Sequence, residues 1–391
     1  MASKVDRFSR SCILTTDVQD KQTWCTDFMR IAQINKLYSP WIGGIESHVQ
    51  VLAEGLAHRG HNVSVLCCQP KGERVTDQVN GIPVIRAASM GMFWGMPVSL
   101  SFARELSEWS VDVVHIHLPN PLATLAYLKV RPQGKLIVTW HSAIVRQRMV
   151  NAAYRPFLQR FLGLADRILV TSPQLAHHAK DLFPWRDRTA IVPLGIPLER
   201  YRYTQELHSK IEGLHSQHGR FALFVGRLVY YKGIEVLLRA LAGTPIKMVI
   251  VGDGPLRDLC LTHLQHNPNL VLVPPQDEEN LRAYFAASSF LVLPSVAPSE
   301  AFGIVQVEAM AYGKPIISTD LPTGVPYVNQ NGVTGIVVPP KDVTELRHAM
   351  LRFWHHPDLC EDRGERARQR AYSYFGAETM LEKIEGILHN L

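Results

Sequence analysis

Short apolar runs alternate along the chain with segments whose apolar residues recur at helical spacing. In the first half the runs are Met29–Tyr38 (MRIAQINKLY), HNVSVLCC (61–68), VDVVHIHL (111–118), KLIVTWH (135–141), ADRILVTS (165–172) and TAIVPLG (189–195). In the second half they are FALFVGRL (221–228), KMVIVGDGPL (247–256), NLVLVPPQ (269–276), Phe290–Leu293, Ile316-Ile317 and GIVVPPKDV (335–343). Continuous runs of this kind predict strands buried on both faces, as in parallel sheets. Between them the spacing predicts helices. One starts at about Ile45, with Val49, Leu52, Ala53 and Leu56 on one face, and stops at Gly60. Others cover 234–242, about 278–286 and about Ile304 onward, and the tail from Thr344 reads as two helices hinged near Tyr374-Phe375-Gly376. Strand–loop–helix–strand order in both halves predicts an α/β protein with two Rossmann-like domains. The polar stretch Tyr203–Arg220 reads as a linker with a helix.

Open α/β sheets bind ligands beyond the carboxyl ends of their strands. The stretch Ser295–Pro326 lies at such an end. Pro294, Ser295, Pro298 and Ser299 break regular structure after the Phe290–Leu293 run, Glu300 follows, and Gly303 precedes a helix that Gly313 stops. The free N–H groups of a helix start favour an anion. A carboxylate just before them would repel phosphate, so Glu300 is better suited to neutral hydroxyls beside one. A sugar diphosphate offers both parts. Earlier, Gly43-Gly44 between the first strand and helix allows close backbone approach. It is not GxGxxG, and no acid stands ready for an adenosine ribose, which disfavours a dinucleotide dehydrogenase.

The chain has 391 residues, 46% hydrophobic and 19% charged, which fits two globular domains. No apolar run approaches the roughly 20 residues of a membrane span, and residues 1–28 lack the apolar core of a secretory signal. They also lack a clean period and read as an N-terminal extension, with disorder one option. The six cysteines show no CxxC and no framework spacing. Cys67 and Cys68 end a strand and read as reduced core thiols, so a cytoplasmic location is expected. Net charge of +6 suits an anionic substrate or surface without choosing among phosphate donor, lipid headgroup and nucleic acid.

The frame SEAFGIVQVEAMAYGKPII and the segment GRLVYYKG together resemble the donor-binding elements of retaining nucleotide-sugar glycosyltransferases of the GT-B fold, family four, of the bacterial polysaccharide and lipopolysaccharide type. The resemblance runs from Met29 onward and is strongest over 226–339. It implies two Rossmann-like domains facing across a cleft: 29–205 with 376–391 on the acceptor side, and 206–375 on the donor side. It places Glu300 at the donor sugar and Glu308 at the nucleotide ribose. Backbone at Phe302, Gly303 and Ile304 would face the sugar diphosphate, Arg227 and Lys232 the diphosphate, Gly43 and Gly44 the phosphate and acceptor, and backbone near Pro274 the base. His141 matches the family histidine near the donor sugar, where hydrogen bonding and electrostatic support fit better than nucleophilic attack. Asp253 resembles a turn under the nucleotide and weighs as structural.

The leaving diphosphate needs fixed positive charge. No Asp-x-Asp stands at a strand end, so Arg227 and Lys232 are expected to supply it without metal or other cofactor. The implied activity is retaining, metal-independent hexosyl transfer from a nucleotide-diphosphate sugar, GDP-mannose-like or a UDP-hexose or N-acetylhexosamine, to a glycan or lipid-linked acceptor. HSAIVRQRM and YRPFLQRFLG, with Arg146, Arg148, Arg155, Arg160, Phe157, Phe161 and Leu162, offer a membrane-surface patch on the inner face of the cytoplasmic membrane; a basic helix on a soluble surface is an equal reading. The rival activities are a GT-B-shaped nucleotide-sugar epimerase or hydrolase, and a phosphorylase that would need a Schiff-base lysine. From another class stands a basic nucleic-acid-binding module, which dispersed charges and the lack of a binding motif disfavour.

Overall fold

The computed structural model describes residues 28–41, 43–93, 95–142 and 148–391. The extension proposed for residues 1–28 lies outside these but for Phe28, as does Arg146.

Two sheets organise the chain. The first is built from β1 (Arg30–Ile34), β2 (Asn62–Cys68), β3 (Val75–Val79), β4 (Ile82–Ala87), β7 (Val113–Leu118), β8 (Lys135–Trp140), β9 (Arg167–Val170) and β10 (Thr189–Ile191). A short separate hairpin, β5 (Met92–Phe93) with β6 (Met96–Pro97), follows β4. The strand order is β10-β9-β8-β7-β1-β2-β4-β3, parallel throughout except where β3 runs antiparallel to β4. The second sheet is built from β11 (Ala222–Val225), β12 (Met248–Val251), β13 (Leu270–Val273), β14 (Leu291–Leu293), β15 (Ile316–Thr319) and β16 (Gly335–Val338). Its order is β13-β12-β11-β14-β15-β16, all parallel. These are two Rossmann-like α/β domains. The inner strands carry Val, Ile and Leu buried on both faces, and helices cover each side with apolar clusters.

The order of each sheet reverses at one place, and ligands of open α/β sheets lodge at such reversals. In the first sheet it lies between β1 and β7; in the second, between β11 and β14. Arg227 and Lys232 follow β11, and Glu300 follows β14. His117 is the penultimate residue of β7 and His141 follows the adjacent β8.

Several elements differ from their sequence reading. The β3–β4 hairpin was not anticipated, because β3 is exposed and polar along most of its length. Its signal was the Asn80-Gly81 pair, which takes the positive φ angles of 49° and 83° that a tight hairpin turn requires. The helices Phe102–Ser107 and Pro121–Val130 were also unread. The stretch read as a linker is mostly the helix Gln205–His218, which caps itself through Thr204 and packs on Glu278–Ala287. The tail forms three helices, Val343–His355, Pro357–Tyr374 and Ala377–Leu388, since Pro357 starts a new helix where one continuous helix had been read. In the helix Arg148–Leu162, Phe161 and Leu162 are fully buried with Tyr154 and Leu158. They cannot belong to a membrane-facing patch. Arg155 pairs with Asp181 at 2.9 Å, and Phe157 is the exposed apolar residue there.

The last helix returns to the first domain. Met380, Leu381, Ile384 and Leu388 join Val49, Leu52 and Leu56 in one apolar cluster. Leu381 presses on Gly55, where a Cβ would overlap it, and Arg59 pairs with Glu378 at 2.6 Å and with Glu385. Backbone bonds Ile196 N–H to Phe375 O at 2.9 Å and Ala377 N–H to Ile196 O at 2.8 Å bind the two crossings together. Leu381→Ala should therefore leave a cavity under this clasp and lower unfolding stability by about 2–5 kcal/mol. Urea denaturation followed by circular dichroism measures it, and an unchanged midpoint would show that the helix is not held by this packing.

Candidate active site

The loops after β11 and β14 are locked together by backbone contact. Gly233 has φ of 73°, and a side chain there would run into the Pro294 carbonyl oxygen. Val296 N–H donates to Tyr231 O at 2.8 Å. Only glycine permits this approach. It sets Lys232, at the start of the helix Ile234–Leu241, against the loop bearing Glu300. Lys232 Nζ lies 2.6 Å from Glu300 Oε2, and both side chains are largely buried, at 12% and 9% exposure. Ser295 Oγ donates to the same carboxylate oxygen at 3.0 Å, and Thr319 Oγ1 donates to Ser295 O at 2.6 Å. An ion pair this deep holds its geometry because separating the partners would strand a charge in a poorly solvated site.

After Glu300 the chain makes the turn that starts the helix Ile304–Ala311. Gly303, with φ of 72°, caps it, and Gln306 Nε2 donates to Phe302 O at 2.9 Å. Gly324 N–H donates to Ala301 O at 2.7 Å, with its Cα against the Phe302 ring. No acidic side chain occupies the first turn, so the helix start stays receptive to an anion beside Glu300.

Glu308 lies two turns into that helix and accepts from the Tyr201 hydroxyl at 2.9 Å. Loss of water around it pushes its pKa up to about 7, and Glu278 adds to the rise; the Tyr201 hydrogen bond and the Lys232 charge oppose it. Burial and the Glu308 carboxylate push the Tyr201 phenol well above its ordinary value. Arg227 is exposed and makes no side-chain hydrogen bond or ion pair among the described residues. Its backbone is fixed: Leu228 N–H donates to Asp253 O at 2.8 Å, and Gly252 packs against Gly226 O. Asp253 itself caps its turn, accepting from Gly254 N–H at 2.8 Å, as a structural residue would. Pro274 is exposed just past β13, and its carbonyl accepts from Gln276 Nε2 at 2.9 Å.

On the other domain, Gly43 caps the helix Gly44–His58 with extended backbone, φ −169°, so no left-handed turn forces glycine there. The carboxylate of Glu46 fills the space a Gly43 side chain would take. His141 is buried and bonds through Nε2 to His117 Nδ1 at 3.1 Å; His117 Nε2 meets Gln33 Oε1 at 2.9 Å. His115 pairs with Thr139 Oγ1 at 2.7 Å. His48, from the Gly44–His58 helix, lies edge-on to His141 with ring centres 5.1 Å apart. Burial lowers all four imidazoles, His48 to about 4 and His115 to about 3, so all are neutral near pH 7. Nitrogens of His48, His117 and His141 lie within 4.8 Å of one another, the spacing of a three-histidine metal site. Two of these rings already share a hydrogen bond.

The structure thus brings Lys232, Glu300, Phe302 and Gly303 into one loop cluster, with Glu308 held by Tyr201; Arg227 is exposed in the loop after β11. His141 belongs to a separate histidine cluster. His48, Gln33, Ser295 and Tyr201 were missed from sequence. His48 falls in step with the buried stripe of Val49 and Leu52, a signal that went unused; the others carried none. A cavity of about 520 Å³ lined by His215, Arg220, Ser288, Lys314, Cys360 and Glu361 lies outside both clusters.

Residues 42–200 match the family described as Glycosyltransferase Family 4, and 208–370 match Glycosyl transferases group 1. The D-rhamnosyltransferase WbpZ of Pseudomonas aeruginosa is 35% identical over 89% of this chain and 93% of its own length. The O-antigen chain mannosyltransferase C of Escherichia coli is 31% identical over 90% of this chain and 96% of its own. The chain belongs to the group 1 glycosyltransferases. Sucrose-phosphate synthase from Thermosynechococcus elongatus superposes with a TM-score of 0.77 at 22% identity, covering 93% of this chain and 98% of its own. The HepE protein of Anabaena, solved with UDP, gives 0.73 at 20% identity over 93% of this chain and 100% of its own. The fold of this glycosyltransferase is therefore GT-B, with the group 1 match over the Lys232–Glu300 domain.

The raised pKa of Glu308 carries a pH signature. Its folded form holds a proton more tightly than an unfolded glutamate, so its contribution to stability is full below about pH 4.5 and is lost as pH rises through about 7. Glu308→Gln should remove that decline, giving a flatter stability curve between those limits than the parent. Thermal unfolding at matched pH values measures it, and parallel curves would show that Glu308 ionises normally.

Proposed function

We propose that this glycosyltransferase moves a hexosyl unit from a nucleotide-diphosphate sugar to a glycan or lipid-linked saccharide of a cell-surface polysaccharide, with retention at the anomeric carbon and without metal. The observation that carries the reading is the buried Lys232–Glu300 pair at a helix start, with Arg227 exposed in the same loop as Lys232. Arg227 grips diphosphate oxygens through two parallel bonds, Lys232 adds a point charge, and the helix start adds its N–H groups. Together they stabilise the leaving diphosphate. Glu300 faces the sugar, which becomes cationic as its bond breaks. Glu308 binds the nucleotide ribose, and His141 supports the reacting sugar from the other domain. The relatives' printed activities, mannosyl and D-rhamnosyl transfer, support a mannose-like donor, for which GDP is the expected nucleotide. The same names support an O-antigen or related polysaccharide as the product. The fit of this setting is a cytoplasmic enzyme working at the inner membrane face.

The two glutamates should separate in kinetics. Glu300→Gln loses charge where transition-state charge grows, so its loss falls mainly on kcat. Glu308→Gln loses a ground-state contact and weakens binding of donor and free nucleoside diphosphate alike, by about 1.5–3 kcal/mol. Steady-state kinetics and calorimetry decide; equal loss of nucleotide affinity in both variants would refute the division. Transfer should also proceed unchanged in chelator, with NMR of the product showing the donor's anomeric configuration. Activity abolished by chelator and restored by Mg²⁺ would refute metal independence.

A further inference from the structure

The histidines at the first sheet's reversal point form a chain with a defined direction. Gln33 on β1 presents Oε1, which can only accept, to His117 Nε2 at 2.9 Å. In this amide orientation, which leaves Gln33 Nε2 buried without a partner among the described residues, His117 Nε2 carries the proton. Neutral imidazole has one N–H, so His117 Nδ1 is a bare lone pair. It lies 3.1 Å from His141 Nε2, which must then donate. His141 Nε2 holds the proton of that ring, and its Nδ1 is left unprotonated. That nitrogen has no hydrogen-bond partner among the described residues. We infer that Gln33 and His117 are positioning residues that lock His141 in the Nε2–H tautomer, so that it offers a ligand an acceptor and demands a hydroxyl donor in return.

The groups around the chain keep it neutral. His48 faces His141 from the Gly44–His58 helix, with its own Nδ1 buried and unpartnered; His115 stacks on His117 at 4.5 Å between ring centres; Lys36, in the loop after β1, adds positive charge near His141. Each of these disfavours a second proton on His141, and among the described residues no carboxylate acts on it to favour one. A doubly protonated His141 would donate from both nitrogens and lose the acceptor. A sugar hydroxyl donating to Nδ1 is thereby selected over a carbonyl or a deoxygenated carbon at the same place. This reading of specificity rests on the cleft being the site of transfer; the tautomer does not.

The test has two arms on the full chain. In the first, ¹⁵N-labelled ligand-free protein is examined by long-range ¹⁵N–¹H NMR of the imidazoles, with His141→Asn used only to assign the signals. The expected result is an unprotonated Nδ1 and a protonated Nε2 at His141, unchanged from about pH 6 to 8. A protonated Nδ1, or a ring that titrates in that range, overturns the proposal whatever the enzyme's substrate. The second arm replaces Gln33, the acceptor toward His117. Gln33→Met removes the acceptor at similar volume and should mix the tautomers, lowering kcat about tenfold with KM nearly unchanged. Gln33→Met retaining the single parent tautomer would show that Gln33 does not set it.

Discussion

Everything at the Lys232–Glu300 cluster depends on one close approach, Gly233 against the Pro294 carbonyl oxygen. It joins the two loops of the β11/β14 reversal and sets Lys232 against Glu300. The resulting pair is mostly cut off from water. Removing one partner would leave a buried charge unpaired. The pair is thus a support for both loops, and in the proposed function its lysine is the group that meets the donor diphosphate.

The two domains use the same topology for different chemistry. Each sheet reverses its order once, and each reversal gathers polar side chains. In the second domain the gathered groups are charged and sit in loops and helix starts. On the other side they are neutral imidazoles and an amide projecting from the strands themselves, Gln33, His115 and His117, with His141 just past the end of β8. The return of the last helix to the first domain and the paired crossings at Ile196 and Phe375–Ala377 tie these two centres into one molecule.

Much of this was legible in sequence because parallel strands buried on both faces appear as unbroken apolar runs. Glu300, Glu308, Arg227 and Lys232 were legible because each stands just beyond such a run or in the helix it feeds. The Lys232–Glu300 contact was not, since it is made by backbone approach between distant segments. The elevated pKa of Glu308 comes from burial, and the Tyr201 hydroxyl that tempers it lies in another part of the chain. β3 was hidden by its polar, edge-strand composition despite the Asn80-Gly81 turn. Phe161 and Leu162 looked like a surface patch beside arginines, but the helical face they share with Tyr154 and Leu158 turns inward. The histidines of β7 carried no sign of whether they were core or site, because their meaning depends on Gln33 in the neighbouring strand.

The central claim is that the Lys232–Glu300 cluster is the donor diphosphate site. Calorimetric titration of GDP and UDP into the parent and Lys232→Ala, with folding of the variant checked by circular dichroism, tests it most directly. The account predicts that whichever nucleotide binds the parent binds folded Lys232→Ala at least tenfold more weakly, as loss of a charged hydrogen-bond partner requires. Equal affinity in the folded variant would contradict it.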